Sequence, residues 1–209
     1  MIAEFPAGDL KNRMNDALPS LRLPYWDAAA VPPLGQGSYP WCVQKKTIEV
    51  ELPDGASTKR MMIPNPLYSY TFHPLPVEDF RSQPANTTRT PDRWLEWTST
   101  KRFPTNFNAS AQSQDDQIAF HLDWNSENFR QRTYFMLAIQ NDYYSFSNDM
   151  VHIKDPDHGV LDSLESVHDT LHNVVGEGGH MTVLEYSAFD PMFWLLHRYV
   201  CTQDVEIRC

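Results

Sequence analysis

Ser163-Leu164-Glu165-Ser166-Val167-His168-Asp169-Thr170-Leu171-His172-Asn173 and, after a glycine-rich gap, Asp190-Pro191-Met192-Phe193-Trp194-Leu195-Leu196-His197 are the two stretches that decide the fold. In the first, Leu164, Val167, Leu171 and then Val174 step by three or four residues, which is helical spacing. The pattern predicts a helix from near Gly159, ended by Gly176, Gly178 and Gly179. In the second, an acidic cap followed by proline in the first turn marks a helix start. That helix carries Phe193, Trp194, Leu196, His197 and Val200.

Working outward, residues 126–146 are proline-free and rich in helix formers, with Phe129, Tyr134, Phe135, Leu137 and Ile139 available for a buried face. The first half reads differently. Prolines recur from Pro24 to Pro84, and each fixes φ and lacks an N–H, so long helices are excluded there. Ala7 to Leu18 is expected to form a short helix. Thr47 to Leu52 alternates apolar with polar, Pro53-Asp54-Gly55 offers turn chemistry, and Lys59 to Ile63 returns, which predicts a hairpin near 47–63. The polar stretch Ser82 to Gln117, with its acidic pair Asp115-Asp116, reads as a solvated surface loop. The expected fold is mainly α, with loop-rich segments and a small β-hairpin. It forms a single domain over residues 1–209, with a loop-rich part at 1–125 and a helical part at 126–200.

Composition narrows the function. The 209 residues carry 17 basic and 27 acidic side chains, a net charge of -10, which argues against a general nucleic-acid binder. No apolar run approaches the length of about 18 residues needed for a membrane span. Residues Met1 to Arg22 lack a basic start with an apolar core, so a cytoplasmic location is the default expectation. The Asn86-Thr87-Thr88 and Asn108-Ala109-Ser110 sequons are accordingly expected to be unused. Three cysteines, Cys42, Cys201 and Cys209, are too few for a disulfide scaffold.

The histidines carry the chemistry. His168 and His172 are four apart on one helix, so both imidazoles leave the same face, about 5–6 Å apart at Cβ. His197, on the next helix, can aim at the same point. Three neutral imidazoles suit copper, zinc, iron or nickel, although an isolated HxxxH pair also occurs as surface or core histidines without metal. Buried among Leu164, Val167, Leu171, Phe193 and Trp194, such rings need partners for their nitrogens, and a metal satisfies several at once. There is no HExxH pattern to supply the general base of a zinc protease. His73 reads as a hydrogen-bonded structural histidine, and His121, His152 and His158 as solvated ones.

These residues resemble a known family. The 163–173 stretch, Gly178-Gly179-His180-Met181 and Ala188 to His197 resemble the copper B half of a fungal tyrosinase or polyphenol oxidase, a type-3 copper protein. Leu21-Arg22-Leu23-Pro24-Tyr25-Trp26-Asp27 resembles the segment after the family's copper A region, and Asn65 to Tyr70 with Phe72-His73-Pro74 resembles its next landmark. The resemblance implies part of a four-helix bundle and an oxidoreductase that oxidises phenols or catechols to quinones with dioxygen, in pigment or secondary metabolism. It implies that His168, His172 and His197 are copper ligands, and that Glu165 orders a water beside the metal. Asp169 stands where many members have asparagine, and with Glu165 it is implied to help deprotonate a phenol. Phe193 matches an aromatic that gates substrate entry, and His180 is given a structural role in the turn.

The sequence also departs from the family. A type-3 site holds two coppers on three histidines each, and no histidine precedes His73, so the copper A half is expected to be missing and at most one copper to bind. Leu196 stands where members have a second histidine, and Cys201 where they have aspartate. Apolar helix faces are expected to be left exposed. The alternative to a phenol oxidase is an inactive remnant that binds one copper or none, or acts as a partner protein. A mononuclear copper or zinc protein is a third reading. Nothing in the residues sets the oligomeric state.

Overall fold

The computed structural model describes residues 2–73, 93–140, 142–150 and 162–208. In chain order its elements are α1 (Asp9–Ala17), α2 (Trp41–Gln44), β1 (Thr47–Asp54), β2 (Ser57–Pro64), α3 (Arg93–Glu96), α4 (Asp115–Ile139), α5 (Tyr143–Ser147), α6 (Leu164–Gly176), α7 (Leu184–Ser187) and α8 (Pro191–Arg208). Among the described residues the architecture is mainly helical with one two-stranded sheet.

Local chemistry explains the main elements. Ser163 caps α6, its Oγ accepting the Ser166 N–H at 3.1 Å. The helix therefore starts at Leu164 and not near Gly159, which itself lies outside the described residues. Leu164, Val167, Leu171 and Val175 form its buried face. Asp190 caps α8 by accepting the Met192 N–H at 2.9 Å, and Met192, Leu195, Leu196 and Tyr199 turn inward. Trp194 does not join them: it is 64% exposed, with its indole N–H donated to the Ala188 carbonyl. In the hairpin, Thr47 pairs with Pro64 and Asp54 with Ser57. Pro53 and Asp54 stay in the strand, and the two-residue turn is Gly55-Ala56, with Gly55 at a φ of 62°.

Several expectations are corrected. The helix read at 126–146 is two helices: α4 begins eleven residues earlier at Asp115, and α5 restarts behind Asp142, which caps it. Asp115 and Asp116 are thus no solvated loop but the acidic first turn of α4, where they complement the helix dipole. The described part of the supposed surface loop is tied into the core, with Trp97 and Arg102 each 2% exposed. Residues 82–92 of that loop, with the first sequon, lie outside the described residues. His73 is exposed. His121 is half-buried, stacked on Phe103 at 5.3 Å, and not solvated. His152 and His158 lie outside the described residues.

The core lies between α4, α6 and α8, where Ile118, Leu122, Phe129, Val167, Leu171, Met192, Leu196 and Tyr199 meet. Helix α4 packs extensively against α6. Arg132 of α4 clasps the start of α6: it pairs with Asp162 and donates to Ser166 Oγ and Thr170 Oγ1. The Trp26 segment docks on α8, with the Trp26 N–H on Leu195 O at 3.1 Å and the indole N–H on Ser38 O at 3.0 Å. A buried ion pair secures the base of α8. Arg102 chelates the Asp190 carboxylate at 2.8 and 3.0 Å through Nε and also donates to Tyr39 Oη, Val43 O and Leu67 O. Burial alone would lower the guanidinium pKa, but Asp190 and Tyr39 outweigh it and raise it.

Candidate metal centre

Helices α6 and α8 bring His168, His172 and His197 to one point. One ring nitrogen from each lies within 4.8 Å of the other two. The His197 Nε2 is 3.1 Å from His168 Nε2 and 3.2 Å from His172 Nε2. All three rings are half-buried.

The other ring nitrogens decide the protonation of the cluster. His168 donates its Nδ1–H to Asp169 Oδ1 at 2.9 Å. His172 donates its Nδ1–H to the Met181 carbonyl at 2.6 Å. A neutral imidazole carries one ring proton, so both rings have spent theirs, and both Nε2 lone pairs face the shared point. His197 can bring at most one proton to Nε2 while neutral, so three nitrogens converge on too few hydrogens. A cation at that point satisfies all three, and carboxylate or carbonyl partners on the far nitrogens are the usual support of metal-binding histidines. Burial, followed by the charges of His168 and His172, pushes the His197 pKa down to about 4. Burial likewise lowers that of His172. His172 and His197 are thereby kept neutral, the form that can bind a metal. A three-imidazole donor set fits copper.

The structure places the other sequence-read residues as follows. Phe193 lies flat on His197, ring centroids 3.7 Å apart at 23°, and edge-on to His172 at 5.8 Å. Glu165 is exposed one turn before Asp169 and accepts the Asp149 N–H at 3.2 Å. Asp169 is 57% exposed at its side chain. Cys201 is exposed one turn beyond His197. His180 is fully buried away from the cluster, with both ring nitrogens bonded to backbone. Sequence reasoning missed the Met181 carbonyl, since a backbone acceptor leaves no mark in residue types. It also missed Arg102, which sits in a polar stretch without periodicity.

Beside His197 runs an apolar groove of about 500 Å³ along the outer side of α8, walled by Leu23, Pro24, Leu67, Pro191 and Trp194. Among the described residues, no helix is long and apolar enough to cross a membrane.

Comparison with known proteins agrees with this geometry. The chain is 32% identical over 201 residues to a tyrosinase of Podospora anserina, covering 94% of this chain and 32% of that protein. It is 35% identical over 199 residues to a tyrosinase of Neurospora crassa, covering 93% and 26%. The chain thus spans a third or less of these relatives. A recombinant mushroom tyrosinase superposes with a TM-score of 0.72 at 30% identity, over 97% of this chain and 33% of that one. An Aspergillus oryzae tyrosinase complexed with L-tyrosine shares the fold with a TM-score of 0.75 at 21% identity, over 99% of this chain and 57% of that one. The model of the common central domain of tyrosinase matches residues 9–200, nearly the whole chain, and the chain therefore belongs to the tyrosinase family of copper oxidoreductases.

Proposed function

We propose that this chain is the copper B portion of a phenol or catechol oxidase, with His168, His172 and His197 holding one copper. The observation that carries this is the convergence of three Nε2 atoms, two of them on rings whose Nδ1 partners select the neutral tautomer with a bare Nε2. A copper held there would supply, together with a second copper from outside this chain, the redox chemistry with dioxygen that turns a catechol into a quinone.

The chain's own residues do the rest. Asp169 and Met181 O hold His168 and His172 in the tautomer that presents Nε2. The Phe193 face fixes the His197 rotamer by stacking, so it serves here as a support as well as the gate its position suggests. The apolar groove beside His197 suits an aromatic ring and sheds water from it. Asp169 and Glu165, one turn apart and both exposed on α6, are the carboxylates that take the proton of an incoming phenol, a general-base task that needs hydrogen-bond reach.

A second reading has support in the one three-histidine cluster found among the described residues: the chain binds a single ion and performs no oxidation alone. Copper titration with a catechol assay decides. One copper per chain, lost in the triple variant of His168, His172 and His197 to alanine, supports the site. Unchanged uptake by that variant refutes it. Two coppers per chain with rapid quinone formation would overturn the assignment to a copper B portion.

A further inference from the structure

The turn after α6 is built around a histidine that touches none of the three converging rings. His180 lies in the short turn His180–Thr182 and is fully buried, packed against Phe72 and Trp97 with ring centroids 5.3 Å away in each case. Its Nδ1 accepts the Lys101 N–H at 2.9 Å, and its Nε2–H donates to the Trp94 carbonyl at 3.2 Å. A backbone N–H pointing at Nδ1 permits only the tautomer with hydrogen on Nε2. The backbone repeats the link, with the His180 N–H on Lys101 O at 2.9 Å. The Trp94 indole N–H holds Gly178 O at 3.1 Å from the other side. Gly179 permits the approach, because a Cβ there would stand 2.2 Å from Lys101 O.

The residue gripped between these bonds is Met181, 1% exposed, and its carbonyl receives the His172 Nδ1–H at 2.6 Å. We propose that His180 is a positioning residue for the metal centre: by clamping the turn to the 94–101 segment it aims Met181 O at His172, and so fixes which nitrogen His172 presents to the metal. Without that carbonyl, His172 is free to carry its proton on Nε2, where it blocks ligation. Partners of ligating histidines typically change metal affinity by about 10–100-fold when lost. His180 acts one residue further out, through the backbone.

The inference rests on the metal reading, yet its first readout needs no metal. Two-bond proton–nitrogen correlation spectra of the metal-free, ¹⁵N-histidine-labelled full chain report the tautomer of each ring. Expected are a parent with His172 in the Nδ1–H form and a His180→Phe variant, which keeps the ring packing, with His172 shifted to Nε2–H. Copper(II) affinity of that variant should fall about tenfold or more. His180→Gln, which restores one acceptor and one N–H donor, should recover most of both. A parent with His172 in the Nε2–H form overturns the proposal outright. So does a His180→Phe variant that loses stability but keeps the His172 tautomer. Should that variant not fold, His180→Asn, which keeps the Lys101 acceptor but not the Trp94 donor, is read the same way. A parent showing the Nδ1–H form that takes up no copper refutes the metal centre and leaves the tautomer assignment standing.

Discussion

Replacing Asp190 by alanine should strongly destabilise the fold around the helix that carries His197 without touching a histidine of the cluster. Asp190 is 0% and Arg102 2% exposed, so deletion of the carboxylate leaves a guanidinium buried with only Tyr39 Oη and the Val43 and Leu67 carbonyls around it. Breaking a buried pair from one side costs about 3–5 kcal/mol, and the lost cap on Met192 adds about 1 kcal/mol. The sum, about 4–6 kcal/mol, is a large share of the stability of an ordinary domain, about 5–15 kcal/mol. By contrast, the exposed Arg13–Asp9 and Arg60–Glu49 pairs, at 4.0 and 3.9 Å, are worth about 0.5 kcal/mol or less. Urea denaturation followed by tryptophan fluorescence reads the difference, with a midpoint shift on the order of 2 M for a slope of about 2 kcal/mol per M. The Arg102→Met/Asp190→Leu double variant removes both charges and should recover a large part of the loss. A single variant within about 1 kcal/mol of the parent, or a double variant as unstable as the single, refutes the view that the buried charge sets this cost.

Other consequences are quick to test. Single His172→Ala and His197→Ala variants should each weaken copper(II) binding by at least an order of magnitude in equilibrium titration, whereas His73→Ala, at an exposed ring, should leave it unchanged. Burial pushes the His180 pKa down to about 4, below its unfolded value of about 6.5. Its neutral form therefore stabilises the fold fully above pH 6.5, and that contribution is lost as pH falls toward 4. Between pH 7 and pH 5 the loss is about 2 kcal/mol. His172 and His197, also depressed, add to the same slope, and urea midpoints of His180→Gln should show the His180 share removed. Gly179→Ala should cost about 1–3 kcal/mol, because the new Cβ meets the Lys101 carbonyl, and thermal unfolding measures it.

The three-histidine cluster was legible in the sequence because two rules of helix geometry suffice for it. A four-residue spacing puts His168 and His172 on one face, and an Asp-Pro start fixes where the His197 helix begins. The beginning of α4 was hidden, because its outer side carries Phe120, Trp124, Tyr134 and Phe135, all more than half exposed. With aromatics on both sides, no clean apolar stripe separates helix from loop. The hairpin was legible but its turn was misplaced by two residues, since a two-stranded sheet has only edge strands and tolerates Pro53 inside one.

What composition and spacing could not show is the support of the site, and the reason is physical. The partners that orient the three histidines are a carbonyl (Met181 O), a ring face (Phe193) and a carboxylate (Asp169), and only the last two are side chains. The carbonyl is placed by a turn whose own anchors, Trp94 and Lys101, lie about eighty residues earlier in a stretch with no periodicity. Arg102, next to Lys101, holds the cap of α8, so one short segment fixes the turn behind His172 and the start of the helix bearing His197. Damage to residues 94–102 should therefore misplace His172 and His197 together while every histidine of the cluster is still in place. A sequence search for metal ligands would score such a variant as intact.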